Sequence, residues 1–72
     1  MKLHYYPETD SLYVEFQSVP SASTREVAPG VNLDVDVDGR PVGLDIDHAS
    51  KVLDLGAVET IGLPATTRAA GE

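Results

Sequence analysis

The chain has 72 residues, a single-domain length, and at this size one hydrophobic core rarely contributes more than ~3 to 5 kcal/mol without disulfides, metals or partners. It has no cysteine, which excludes disulfides, thiolate metal sites and a cysteine nucleophile. Twelve acidic residues against five scattered basic ones (Lys2, Arg25, Arg40, Lys51, Arg68) give a net charge of −7, which excludes the basic stripe that direct binding to DNA or RNA requires and favours a basic partner.

Met1 to Tyr6 lack the basic run and long apolar stretch of a signal peptide, and no apolar segment reaches the ~20 residues of a membrane helix. The expectation is a soluble, cytoplasmic protein. Val, Leu, Ile and Tyr recur at every second position, the period of half-buried strands. In "KLHYYPETDSLYVEF" a turn over Pro7 to Asp10 pairs Tyr5 with Leu12 and Leu3 with Val14 on one face, and Lys2 with Glu15 and His4 with Tyr13 on the other. After the small-residue loop "VPSAS", the stretch "TREVAPGVNLDV" reads as a third strand turning into a fourth. There Gly30 supplies a positive φ, with Val27 beside Val31 and Arg25 against Leu33. Val31 to Val37 and Val42 to Ile46 form the fourth and fifth strands, joined through Asp38-Gly39, with Val31, Leu33, Val35 and Val37 on one face. Asp47 is placed to cap a short helix from His48 to Leu53 that turns Ala49, Val52 and Leu53 to the sheet and ends near Gly56. The fold class is α+β: a small antiparallel sheet of about five strands built from hairpins, with one short C-terminal helix. Residues 1–55 form the domain. Residues 56–72 are an extension with a brief apolar patch at Val58, Ile61 and Leu63, expected to be flexible from Pro64.

The segment "DVDVDGRPVGLD" (Asp34 to Asp45) has the spacing of a calcium loop, with Asp34, Asp36, Asp38 and Asp45 at ligand positions 1, 3, 5 and 12 and Gly39 at position 6. Three departures count against that reading. Both flanks alternate as strands where an EF-hand needs helices, Asp45 is shorter than the usual bidentate Glu, and Pro41 replaces a β-branched residue. The aspartates read instead as the outer face of a hairpin. Closure with two loop residues places Asp34 opposite Gly43; closure with four places it opposite Asp45, a repulsion that invites a cation or a basic side chain.

The segments "YYPETDSLYVEF", "GVNLDVDVDGRPVGLDID" and "HAS" together resemble the YuzE-like family of small bacterial proteins of unknown function. Members of that family usually carry Glu where Asp45 stands, and here His48 precedes Ala49. The resemblance implies a compact antiparallel sheet with one short helix, no established enzymatic activity, and pairing with a small basic neighbour in the manner of toxin and antitoxin. It brings no catalytic residues.

His4 and His48 are the only imidazoles. His4, on the polar face beside Tyr13, reads as a surface histidine before a catalytic base, and His48 with Asp45 or Asp47 as surface decoration before an acid and imidazole pair. Ser50 has no identifiable base or oxyanion donor. The function expected is therefore a non-enzymatic acidic interaction module, antitoxin-like as the resemblance implies, without cofactor. Its partner-binding residues are Tyr6, Tyr13, Asp34, Asp36 and Asp45, and homodimerisation through an unprotected sheet edge is a further expectation. The alternative is a divalent-metal or small-ligand module on Asp34, Asp36, Asp38 and Asp45.

Overall fold

A computed structural model describes residues 1–64. Five strands, β1 (Lys2–Tyr6), β2 (Ser11–Glu15), β3 (Ser23–Ala28), β4 (Val31–Val35) and β5 (Pro41–Ile46), form one antiparallel sheet in the order β1-β2-β5-β4-β3. A single turn of helix, α1 (Ala49–Val52), follows. The first hairpin has the expected register, with Lys2 opposite Glu15, Leu3 opposite Val14, His4 opposite Tyr13 and Tyr5 opposite Leu12. Strand alternation then divides the side chains. Leu3, Tyr5, Leu12, Val14, Val31, Leu33, Leu44 and Ile46 share one face, while Lys2, His4, Tyr6, Tyr13, Glu15, Asn32, Asp34 and Asp45 share the other.

Both of the remaining hairpins differ from the simple pairing. Arg25 does face Leu33, but a bulge at Val27 sets Ala28 rather than Val27 opposite Val31 and leaves Val27 51% exposed. Gly30 has the expected positive φ of 76°. In the next hairpin β4 stops at Val35, and Val37, expected on the buried face, is 86% exposed in the turn. The cause lies in Asp36, whose Oδ1 accepts the N–H groups of Asp38 and Arg40, each at 2.9 Å, and so starts the turn two residues early. Asp36 N–H also bonds the Arg40 carbonyl, closing a turn over Val37, Asp38 and Gly39 with Gly39 at φ 80°. A bulge at Val42 then restores the pairing of Asp34 with Gly43. Two irregularities thus arrive at the register in which Asp34 does not oppose Asp45.

The helix is shorter than the expected span from His48 to Leu53. His48 stands at its N-terminus in the left-handed region (φ 53°) and its own side chain makes no capping bond, nor does Asp47 cap the helix. It ends at Leu53, which is extended, rather than at Gly56. Ala49 is fully buried, but Val52 and Leu53 are 62% and 38% exposed and do not seal the sheet. Leu55 does so instead, packing with Val14, Val31 and Leu44 around the cluster of Leu12, Ile46 and Ala49. No helix among the described residues is long and apolar enough to cross a membrane. Flexibility of the tail was expected for residues of which 65–72 lie outside the described part.

Candidate functional site

The polar face is organised around Tyr13. Its ring reaches from β2 across β5 to β4, where the hydroxyl donates to Asp34 Oδ2 at 2.9 Å. This path exists because the strand between carries Gly43, where an added Cβ would overlap the Tyr13 hydroxyl and ring. A strand glycine at such a crossing marks close approach of another group. Thr24 on β3 donates to the other oxygen, Asp34 Oδ1, at 2.6 Å, so both oxygens of this carboxylate are engaged. Burial, the bond to Asp34 and the nearby charges of Asp34, Glu15 and Asp45 push the Tyr13 hydroxyl above the usual phenol range.

Beside it, His4 Nε2 lies 3.0 Å from Glu15 Oε1, and Ser18 donates to Glu15 Oε2 at 3.2 Å. These contacts, His4 first, hold the Glu15 carboxyl below its ordinary value. The His4 ring sits 6.4 Å from that of Tyr13, tilted by 39°. Asp45 is different. It is paired across strands with Tyr13 and Asn32, is partly buried, and its carboxylate takes no hydrogen bond among the described residues. Burial first, then the charges of Asp47 and Asp34, push its carboxyl above the usual range.

Of the expected contact residues, the structure brings Tyr13, Asp34 and Asp45 together and puts Tyr6, 49% exposed, on the same face at the end of β1. Asp36 stands apart, committed to its turn. The four aspartates of the calcium-like spacing therefore do not converge, and among the described residues no three acidic or imidazole side chains are grouped to hold a metal.

A second cluster was not anticipated. Asp10, in the first turn at φ 52°, caps the helix from across the chain. Its carbonyl accepts Ala49 N–H at 2.8 Å, its Oδ1 accepts Ser50 N–H at 3.1 Å, and its Oδ2 accepts the Ser50 hydroxyl at 2.7 Å. Tyr5 also donates to Oδ1, at 2.8 Å. The Ser50 bond, then the Tyr5 bond, lower the Asp10 carboxyl, and Tyr5 itself is raised by Asp10. The arrangement employs Ser50 as a donor to a cap. The only local signal for it was an Asp at the end of a tight turn, where a left-handed residue fits.

A model of the family described as "Protein of unknown function (DUF2283)" matches residues 2–50, which span all five strands and enter the helix. The chain belongs to this family. No curated protein and no solved structure matches it. The matched segment contains Tyr13, Asp34, Gly43 and Asp45 of the polar face and Asp10 and Ser50 of the cap.

Proposed function

We propose that this DUF2283 protein is a non-enzymatic interaction module of the cytoplasm whose polar sheet face docks a small basic protein, in the manner of an antitoxin. The finer resemblance to YuzE-like proteins carries the same implication. The observation that supports the reading best is the state of Asp45: partly buried, without a hydrogen-bond donor among the described residues, and crowded by Asp34 and Asp47. A Lys or Arg from a partner would relieve that crowding and gain a charge-assisted bond. Tyr13 and Tyr6 beside it supply aromatic surface of the kind that anchors interfaces. Asp34, already bonded to Tyr13 and Thr24, holds the Tyr13 ring in place and adds to the negative field.

The test is capture from a lysate of the native cell by the immobilised chain over a salt series, with Asp45→Asn alongside. The reading expects a small basic protein retained at low salt, released as salt rises, and held weakly by Asp45→Asn. Retention that ignores both salt and the substitution would count against it. Titration calorimetry with Ca²⁺, Mg²⁺ and Mn²⁺ checks the metal-binding alternative directly.

A further inference from the structure

We propose that two copies of the chain associate through the outer edge of β1, joining their sheets about a two-fold axis at His4. β1 and β3 are the two sheet edges, and an edge strand with unpaired main-chain groups is a template for pairing unless it is blunted. β3 is blunted, because it carries the Val27 bulge and the charged pair Arg25 and Glu26. β1 pairs without a bulge over its whole length, and its sequence Lys-Leu-His-Tyr-Tyr contains no carboxylate in a chain that has twelve. It is thus an edge where two chains of charge −7 meet without opposing their acids. The nearest acid across the first hairpin, Glu15, is held by His4 and Ser18.

The hydrogen-bond phase fixes how the copies would pair. Phe16 N–H donates to the Val42 carbonyl at 2.8 Å. In register, Leu12 and Val14 turn their main chain toward β5, while Ser11, Tyr13 and Glu15 turn theirs toward β1. Their partners Tyr6, His4 and Lys2 are thereby satisfied, and the N–H and C=O groups of Leu3 and Tyr5 point outward from the edge. With the axis at His4, Leu3 of each copy forms a reciprocal hydrogen-bonded pair with Tyr5 of the other, and Lys2 meets Tyr6. On the apolar face Leu3 and Tyr5 are 51% and 45% exposed, and they wall a groove of about 480 Å³ completed by Leu12, Leu55, Gly56 and Val58. Pairing at this edge sets the two grooves side by side and covers their open wall. The axis leaves Asp34 and Asp45, on β4 and β5, free for a different partner.

The experiment is sedimentation equilibrium of the full chain with two variants. Wild type is expected at twice 7.7 kDa in the micromolar range. Leu3→Pro removes an N–H that has no bond among the described residues of one copy, a substitution edge strands tolerate, and is expected at the monomer mass with unchanged far-UV circular dichroism. In the paired arrangement the two His4 residues form a non-hydrogen-bonded pair with Cα atoms ~4.5 Å apart, within disulfide range. In a chain without cysteine, His4→Cys is then expected to cross-link rapidly under mild oxidation, and Arg25→Cys on β3 is not. A monomeric wild type, a Leu3→Pro chain that still dimerises, or His4→Cys cross-linking no faster than Arg25→Cys would each overturn the proposal.

Discussion

At the residue scale, Gly43 and Asp45 show how one face can be built and left unfinished at once. Tyr13 reaches Asp34 only because nothing projects from Gly43. Gly43→Ala forces the ring aside and breaks that bond, and the expected loss is about 1 to 3 kcal/mol. The same change in a Tyr13→Ala background should cost clearly less, and a double-mutant cycle of thermal melts measures the difference. Asp45 has the opposite character. Its raised value in the fold means that the folded chain holds this proton more tightly than the unfolded chain does, so stability falls as pH rises through that window. Asp45→Asn is therefore expected to melt higher than wild type near pH 7, with the advantage gone below about pH 3.5, under the ordinary Asp value. Asp10 and Glu15, both lowered, run the other way: the stability they contribute is present above their ordinary values and lost as pH falls through their folded ones. A melt series across acid pH on wild type and Asp45→Asn separates the two signs. If Asp45→Asn also weakens partner capture, a stability cost is being carried for binding.

At the scale of elements, the hairpins divide the legible from the illegible. The first hairpin could be read from its sequence because pairing on both faces agreed, Leu3 with Val14 on one and Lys2 with Glu15 on the other. The register of Asp34 against Gly43 is one of the two that the turn sequence allows, and the bulge that produces it has no period to announce it. Tyr13 and Asp34 could be assigned to one face by alternation, whereas their bond across Gly43 depends on the order β2-β5-β4, which no local pattern encodes. The helix departs from its expected span for a related reason. Its cap comes from Asp10, forty positions away in the chain, and a single turn stabilised from outside needs no amphipathic face of its own. Asp36 is the instructive case among the contact residues, since its acidity suggested a surface role and its geometry shows a turn role. Asp36→Ala is expected to lower stability by about 1 kcal/mol through two lost side-chain to main-chain bonds and to leave partner capture as it was, the reverse of Asp45→Asn. Chemical denaturation and the capture assay, run on both variants, decide between these assignments.

At the scale of the whole molecule, charge and core size act against each other. Among the described residues the buried hydrophobic ones are Leu12, Val35, Val42, Ile46 and Ala49, and no large side chain is fully enclosed. A core this thin has little margin, and a net charge of −7 strains it further by self-repulsion. Salt should then have two effects of opposite sign on one protein. Screening relieves repulsion within the chain, so the melting temperature rises as ionic strength increases and the Debye length shortens from ~30 Å at 0.01 M to ~10 Å at 0.1 M. Screening also weakens attraction to a basic partner, so affinity falls over the same interval. A chain whose acids served only to keep it in solution would show the first effect without the second. Thermal melts and binding isotherms in the same buffers, with Asp45→Asn damping both responses, would tie the two slopes to the polar face rather than to charge spread evenly over the surface.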